Sequence, residues 1–233
     1  MKIAIMQPYF FPYIGYFQLV NAVDKFVFYD DVNFITRGWI NRNRILCHGK
    51  DMLITVPLKN ASQNKLINEI KIVEDERWKQ KLSKTLEMNY KKAPYFSVVY
   101  AIFQNVINCD TTFISDMCIN SVMAVSHYLG LSTIFEKSSE KYPDTRGLKR
   151  EQRLIEICQK NNAKNYINPS GGKELYKKED FLRQNINLFF IENTLPTYKQ
   201  FNHDFVQGLS IIDVMMFNSP EEIKKMLNQY KLV

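Results

Sequence analysis

Two carboxylates follow an apolar stretch near the start of this chain, a position from which side chains can reach a ligand. Asp30 and Asp31 come directly after residues 26–29, and Asn33 lies two residues further on. A carboxylate at the end of a strand can bind Mg²⁺ together with substrate phosphates, accept hydrogen bonds from sugar hydroxyls, or act as a general base. Because adjacent strand residues face opposite ways, at most one aspartate is expected to point into a given pocket. Loop capping is the structural alternative.

A cluster rich in hydrogen-bond donors follows at residues 37–44. It contains three arginines, two asparagines and one tryptophan, namely Arg37, Arg42, Arg44, Asn41, Asn43 and Trp39. Arginine offers fixed bidentate geometry to phosphate or carboxylate groups, and asparagine recognises hydroxyls and amides. The cluster therefore predicts a tight pocket for a nucleotide diphosphate. A solvated loop, and nucleic-acid binding with the tryptophan as a stacking platform, stay open as alternatives.

An aromatic turn precedes both groups. Gln7 ends the first apolar run, and Tyr9 and Tyr13 lead to Gly15 and Tyr16, where a helix-like pattern begins. Free backbone N–H groups and the helix dipole favour anions at such a helix start, and the glycine would allow a phosphate to approach the backbone closely. The tyrosines could donate hydroxyl hydrogens or stack on a base. Packing into the core is the alternative for about half of the aromatic residues in the turn.

A later loop, at residues 168–173, also follows an apolar stretch. Ser170 and Gly171 in this loop could cradle a phosphate, although the spacing is not that of a Walker motif. Arg146, Lys149 and Arg150 precede the loop in the chain. A looser polar set lies near the C-terminus and consists of Tyr198, Gln200, His203, Ser210 and Asp213, of which Ser210 could simply cap a helix.

Composition restricts the class of protein. The chain has 233 residues, of which 45% are hydrophobic and 24% are charged, and this suits a single domain with a full core. No apolar run reaches the roughly 18 residues of a membrane span, and the N-terminus does not resemble a signal peptide. We therefore expect a soluble, cytoplasmic protein without membrane insertion. The net charge of +7 fits either solvated helix faces or attraction of phosphorylated ligands.

The sequence contains no metal-binding or hydrolase motif. The three histidines show no metal-ligand spacing, the four cysteines form no CxxC pair, and no GxSxG motif occurs. We therefore expect reduced, mostly buried thiols and no metal site built from protein side chains.

The order of the apolar patterns predicts an α/β fold. Runs at residues 3–6 and 26–29 flank a helical pattern, which indicates a βαβ unit whose polar ends meet at one edge of a parallel sheet. A hairpin is predicted around residues 44–56, and a helix is predicted over residues 221–230 after the Ser219-Pro220 start signal. Helical periodicity runs between these elements. We predict one α/β domain over residues 1–233 with a helical insertion at about 75–130.

Three N-terminal motifs carry a resemblance to a known family. QPYFFPYIGY at residues 7–16, FYDDVN at 28–33 and RGWINRNRI at 37–45 resemble the WbqC-like family, and residues 166–171, 198–200 and 209–213 fit it too. Members of this family are associated with O-antigen and other surface-polysaccharide gene clusters. The resemblance implies work on a sugar or a sugar nucleotide.

A weaker similarity, to nucleotidylyltransferases and pantothenate-synthetase-like adenylating enzymes, implies a Rossmann-like (nucleotidylyltransferase-like) parallel sheet with an inserted mid-chain helical bundle. In those enzymes a His-x-Gly-His turn opens a helix, and Tyr13-Ile14-Gly15-Tyr16 occupies its place here. Phenols are neutral at pH 7 and stabilise a transferring phosphoryl group weakly. Either Arg37, Arg42 and Lys59 take over that role, or the scaffold does different chemistry.

Together these features predict an enzyme that modifies a nucleotide-linked amino sugar by N-acyl or aminoacyl transfer to the sugar amine. Asp30 or Asp31 would bind the sugar or deprotonate the amine, and Tyr13 and Tyr16 would orient an acyl donor. The co-substrate stays open between an acyl donor, of which a charged tRNA is one source, and ATP with Mg²⁺. Two alternatives are an ATP-dependent adenylating or nucleotidylyl-transferring enzyme and a tRNA- or RNA-binding module.

Overall fold

The computed structural model describes residues 1–201 and 204–233, which contain ten strands and nine α-helices. The strands are β1 (Lys2–Met6), β2 (Lys25–Phe28), β3 (Arg42–Cys47), β4 (Lys50–Thr55), β5 (Leu58–Lys59), β6 (Lys71–Ile72), β7 (Ile134–Lys137), β8 (Asn165–Pro169), β9 (Asn187–Asn193) and β10 (Tyr230–Leu232). The α-helices are α1 (Ile14–Asn21), α2 (Arg77–Tyr90), α3 (Phe96–Ile107), α4 (Ile114–Tyr128), α5 (Ser138–Lys141), α6 (Arg150–Lys160), α7 (Lys178–Leu182), α8 (Ile211–Phe217) and α9 (Pro220–Leu227).

A six-stranded sheet in the order β10-β9-β8-β1-β2-β7 forms the centre of the fold. Its neighbouring strands are parallel except for β10, which is antiparallel to β9. From β1 the chain adds β2 and β7 on one side and later adds β8 and β9 on the other, so the strand order reverses between β1 and β8. The predicted α/β fold with a mostly parallel sheet is confirmed. The finer Rossmann-like (nucleotidylyltransferase-like) assignment stays a prediction.

Helices cover both faces of the sheet. The side chains of β1 alternate, because Ala4 belongs to the core that contains α1 and the mid-chain helices, whereas Ile3 and Ile5 belong to a second core with α6 and α7. All three residues are buried. A strand that is buried on both faces is apolar throughout, which explains the continuous apolar run in the sequence.

Helices α2, α3 and α4 occupy the segment for which a helical insertion is predicted. Pro94 lies between α2 and α3, and Gly130, with a φ of +61°, lies shortly after α4. Leu86, Phe103 and Val122 from these helices are buried in the same apolar core as the sheet residues. The mid-chain helices therefore share a core with the sheet.

The predicted hairpin is confirmed, since β3 and β4 pair antiparallel. His48 and Gly49 in its turn have φ values of +49° and +75°. Two successive positive φ values characterise a type I′ turn, whose twist matches that of the flanking strands. The pattern around this turn was sufficient to predict it because turn and strand signals are both local.

Two helix starts follow from capping signals. The hydroxyl of Ser210 accepts a hydrogen bond from the backbone N–H of Ile212 and caps α8, as predicted. Ser219 caps α9 in a reciprocal arrangement with Glu222, and Pro220 occupies the first turn. These local contacts set where the last two helices begin.

The C-terminus differs from the prediction of a helix over residues 221–230. Helix α9 ends at Leu227, and β10 begins at Tyr230 and pairs antiparallel with β9. A strand of three residues is too short to show a recognisable periodicity. Pairing with a distant strand therefore decides its conformation.

The cysteines are free thiols, and Cys118 and Cys158 are buried while Cys47 and Cys109 are partly exposed. Burial raises the pKa of Cys118 well above its usual value and the pKa of Cys158 to about 12, which keeps both thiols protonated and unreactive. None of the helices in the described part of the chain combines the length and the hydropathy that crossing a membrane requires.

Candidate functional site

A cavity of about 730 Å³ opens at the carboxyl ends of β1, β2 and β8, where the strand order reverses. Gln7 follows β1, Tyr29 follows β2, Asn168 lies near the end of β8, and all three line the cavity. We call it the sheet-edge cavity. Its volume is within the range of about 300–1,000 Å³ that small-molecule sites occupy. Open α/β sheets bind their ligands at this position.

One wall of the sheet-edge cavity is basic. Arg150 and Arg153 from the start of α6 line it, and the Arg153 guanidinium lies 4.7 Å from the centroid of the Tyr29 ring. Lys149, which precedes α6, provides no side-chain cap for the helix. An uncapped helix start beside an exposed arginine favours an anion such as a phosphate.

Asp31 also lines the sheet-edge cavity, but both of its carboxylate oxygens are engaged. One oxygen accepts from the Ser138 hydroxyl, and the other accepts from Arg153 Nη2 at 2.7 Å and Arg146 Nε at 2.9 Å. Burial raises the pKa of Asp31, yet the hydrogen bonds from the arginines and the serine outweigh it and hold the pKa below its usual value. A carboxylate with a lowered pKa is a weak base. The geometry therefore does not support the predicted role of Asp31 as general base.

Asp30 is buried as well, and it holds the start of α5. Its carboxylate accepts from the Ser139 backbone N–H at 3.0 Å, from the Ser139 hydroxyl at 2.6 Å and from the Ser138 hydroxyl at 3.1 Å. Both aspartates thus contact Ser138, because β2 ends at Phe28 and strand alternation does not extend to these residues. Only Asp31 lines the sheet-edge cavity, in agreement with the prediction that at most one aspartate points into a given pocket. Loop capping describes what Asp30 does in this structure.

We expect the stabilisation from Asp31 to disappear in acid. The pKa of Asp31 is lower in the folded protein than the value of about 3.9 for an unfolded chain. Its contribution is therefore complete above the unfolded pKa and is lost as the pH falls through the folded pKa. Urea unfolding between about pH 6 and about pH 2 should show the stability gap between wild type and Asp31→Asn narrowing as the pH falls. A gap that stays constant across this range would contradict the ion-pair assignment.

In this structure a side chain occupies the position beside Gly15 at which a phosphate was predicted to bind. A Cβ placed on Gly15 would lie 2.3 Å from Cε2 of Tyr13, so the Tyr13 ring already fills the space beside this glycine. Tyr16 is buried, and its hydroxyl donates to the carbonyl oxygen of Gln7 at 2.9 Å. Burial raises the pKa of Tyr16 well above its ordinary value. Tyr16 therefore joins α1 to the end of β1, and the geometry gives no support to its predicted catalytic role.

A second cavity, of about 440 Å³, lies beside the first. We call it the aromatic cavity, and it is lined by Met6, Tyr9, Pro12, Tyr13, Trp39, Asn43, Arg44, Leu195 and Gly208. Met6 lines both cavities, so they adjoin at the end of β1. The N-terminal motifs were predicted to meet at one edge of the sheet. Their side chains are instead divided between two adjacent cavities.

The donor-rich residues 37–44 do not share one pocket. Trp39, Asn43 and Arg44 line the aromatic cavity. Arg37 is exposed, with a φ of +60°. The side chains of Asn41 and Arg42 each donate to a backbone carbonyl oxygen at 2.8 Å. Their predicted part in a diphosphate pocket is therefore not reflected in the geometry.

Asn43 is buried, and its side chain joins β3 to the aromatic turn by hydrogen bonds. Its amide nitrogen donates to the carbonyl oxygens of Phe11 at 2.7 Å and Phe10 at 3.2 Å, and its amide oxygen accepts from the Arg44 backbone N–H at 2.8 Å. These bonds use the side chain internally. Asn43 thus shapes the wall of the aromatic cavity.

The remaining predicted residues divide between the sheet-edge cavity and the surface. Asn33 and Gly171 line the sheet-edge cavity. Lys59 is exposed, lies 3.5 Å from a carboxylate oxygen of Glu74 and lines neither of the two cavities. Ser170 begins a short 3₁₀ turn and is exposed.

Among the side chains that line the sheet-edge cavity but are absent from the predicted set are Tyr29, Arg153 and Tyr176. Arg153 carries a local signal, because it stands beside Leu154 on the buried side of an otherwise amphipathic helix. A charged residue at such a position requires a buried partner. The two tyrosines carry no comparable signal.

Tyr198, Gln200 and Asp213, from the polar set near the C-terminus, form a hydrogen-bonded network with Tyr90. The Asp213 carboxylate accepts from the Tyr198 hydroxyl and the Gln200 amide, each at 2.6 Å, and from the Tyr90 hydroxyl at 2.7 Å. Burial raises the pKa of Asp213 above its usual value in spite of these donors. His203, which belongs to the same predicted set, lies outside the described residues.

Groups that could hold a metal ion are not assembled in the described residues, where no three His, Cys, Asp or Glu side chains are arranged around a common point. Groups suited to an anionic ligand are present in both cavities. They are Arg150 at the start of α6 and Arg44 in β3.

Comparison with known proteins gives one family. The chain matches the WbqC-like protein family over residues 7–225. It is similar to the "Uncharacterized protein Rv1507c" of Mycobacterium tuberculosis (strain ATCC 25618 / H37Rv), with 29% identity over 223 residues that cover 93% of each chain. No solved structure matches the chain. The family match includes the lining residues of both cavities from Gln7 onward.

Proposed function

Because the chain belongs to the WbqC-like protein family, we propose that it is an enzyme of O-antigen or other surface-polysaccharide biosynthesis. In this proposal it is a cytoplasmic transferase that attaches an N-acyl or aminoacyl group to the amine of a nucleotide-linked sugar. The sheet-edge cavity, with a basic wall and amide side chains where the strand order reverses, is the observation that carries the proposal.

The diphosphate of the sugar nucleotide would bind at Arg150. This arginine is exposed, lines the cavity and makes no salt bridge within residues 1–201 and 204–233. Arg153 differs, because its guanidinium is paired with Asp31 at 2.7 Å. The uncapped first turn of α6 adds backbone N–H donors beside Arg150. Of the two arginines that line the sheet-edge cavity, Arg150 is therefore better able to bind an anionic ligand.

Gln7 and Asn168 would recognise the sugar. Side-chain amides both donate and accept hydrogen bonds, which suits hydroxyl and amine substituents. The Asn168 amide nitrogen donates to the Tyr166 hydroxyl at 3.0 Å, and this bond orients the amide. A Cβ on Gly172 would lie 2.9 Å from Cγ of Asn168, so glycine is what lets the following turn close over this side chain.

The proposed transfer does not require a strong protein base. The sugar amine attacks the acyl carbonyl, a C–N bond forms, the bond from the acyl carbon to the leaving group of the donor breaks, and the amine proton passes to water. An amine that titrates like a peptide α-amino group, at about 7.7–8.0, is partly neutral near pH 7. The reaction is therefore compatible with an Asp31 that is held as an ion-paired carboxylate.

We expect Arg150→Ala to weaken the binding of a nucleotide-linked amino sugar by about 10- to 100-fold, the loss typical of one charge-assisted contact. Titration calorimetry against dTDP- and UDP-linked amino sugars measures the affinity. Lys149→Ala is the matched control, because it removes the same charge from the neighbouring residue, which does not line the cavity. Its affinity should stay within about twofold of wild type.

Equal losses of affinity in Arg150→Ala and Lys149→Ala would show that only the overall positive charge matters. That result would contradict a phosphate site at Arg150. The absence of binding to any of these sugars would contradict the substrate class. Binding of ATP with Mg²⁺-dependent release of pyrophosphate would instead favour the adenylating alternative.

A further inference from the structure

Arg44 lines the aromatic cavity and has hydrogen-bonding capacity that its protein contacts do not use. Its Nε–H is buried and has no partner among the described residues, and its two other contacts, to Asp51 and to the carbonyl oxygen of Gly208, are both 3.4 Å long. Buried polar groups are normally paired, because an unmade hydrogen bond is costly. A guanidinium with free capacity in a cavity wall is suited to an anion.

Aromatic rings stand around the same arginine. The guanidinium of Arg44 lies 5.5 Å from the centroid of the Trp39 ring, and Trp39 remains 43% exposed. Tyr13, at 36% exposure, and the more buried Tyr9 contribute two further rings to the wall. The cation is paired with the partly exposed Asp51 carboxylate at 3.4 Å, but its Nε–H has no partner among the described residues. Exposed aromatic surface next to such a guanidinium matches a ligand that is both planar and anionic.

We propose that the aromatic cavity is a second binding site and that it takes a nucleoside monophosphate group, with the base against Trp39 and the phosphate at Arg44. The cavity volume of about 440 Å³ is in the range of small-molecule sites. Met6 lines both cavities, so a ligand here lies next to whatever occupies the sheet-edge cavity. The inference rests on the aromatic cavity alone and does not require the proposed function.

The test follows the fluorescence of Trp39. The chain has two tryptophans, so Trp78→Phe leaves Trp39 as the only reporter. We expect saturable quenching by AMP and much weaker quenching by adenosine, which has no phosphate. Arg44→Gln should weaken AMP binding at least about tenfold. Arg37→Gln is the matched control, because Arg37 is an exposed arginine that does not line the cavity.

Calorimetry with Trp39→Ala gives a second readout that does not need the reporter. Loss of about tenfold or more in AMP affinity is expected from the lost stacking. Competition by a short RNA with a 3′-terminal adenosine would identify an RNA end as the natural source of the group, whereas competition by free nucleotide alone would identify a small molecule. No saturable AMP binding, or equal losses in Arg44→Gln and Arg37→Gln, would overturn the proposal.

These outcomes are separable from those of the proposed function. Arg44→Gln should leave the affinity for a nucleotide-linked amino sugar unchanged, because Arg44 does not line the sheet-edge cavity. Arg150→Ala should likewise leave AMP binding in the aromatic cavity unchanged, because Arg150 does not line that cavity. Failure of one site therefore does not imply failure of the other.

Discussion

Asp31→Asn is expected to lower the free energy of unfolding by about 3–5 kcal/mol. Asparagine keeps the shape of the side chain but removes the charge that faces Arg153, whose side chain is 7% exposed. Arg153 would then be a buried cation without a counter-charge, and removing one partner of such a pair is far more costly than losing an exposed pair. The loss of an acceptor for Arg146 adds to the effect.

Thermal unfolding measures this prediction. A change of 1 kcal/mol moves the melting temperature by about 2–4 °C in a chain of this size, so a fall of about 6–20 °C is expected. Asp144→Asn is the control, because Asp144 pairs with Lys160 at 2.7 Å but is largely exposed. It should shift the melting temperature by only a few degrees. An unchanged melting temperature together with lost activity in Asp31→Asn would return Asp31 to a catalytic role.

Asp213→Ala is the second substitution for which we expect a large effect. It should lower the free energy of unfolding by at least about 3 kcal/mol. The substitution removes the shared acceptor of the Tyr90 and Tyr198 hydroxyls and of one Gln200 amide N–H, although the Gln200 nitrogen keeps its bond to the carbonyl oxygen of Val206. Each unsatisfied buried donor costs about 1–3 kcal/mol. The network also joins α2 to the segment that leads to Gly208, so its loss should disturb the aromatic cavity.

Urea unfolding of Asp213→Ala against Asp204→Ala tests this expectation. Asp204 belongs to the same C-terminal segment and is exposed, so its truncation should change the unfolding free energy by less than about 0.5 kcal/mol. Similar midpoints for the two variants would show that the Asp213 network contributes little. Tyr90→Phe, which removes only one of the donors, should fall between them.

Much of the fold could be predicted because its signals are local. The apolar runs of β1 and β2 and the turn at His48-Gly49 each depend on a few neighbouring residues. The strand β10 could not be predicted, because three residues acquire a strand conformation only through pairing with β9.

The site could be predicted in part. Gln7, Asn33 and Gly171 do line a cavity at the expected edge of the sheet. The group that occupies the space beside Gly15 could not be predicted. A glycine indicates that some group approaches the backbone closely, but the sequence does not identify that group as the ring of Tyr13. The positions of the side chains in the donor-rich residues 37–44 could not be predicted either, because spacing along the chain does not show which side chains form hydrogen bonds with the backbone.

The sequence by itself determined the α/β class, the family and the edge of the sheet at which polar groups collect, because periodicity and motifs act over short stretches of chain. Tertiary structure alone decided what the acidic pair does. The partners of Asp31 come from 107 to 122 residues further along the chain, at Ser138, Arg146 and Arg153. Whether a carboxylate acts as a base or as a counter-ion depends on its burial and on nearby charges, and these exist only once β7, α5 and α6 have packed against β2.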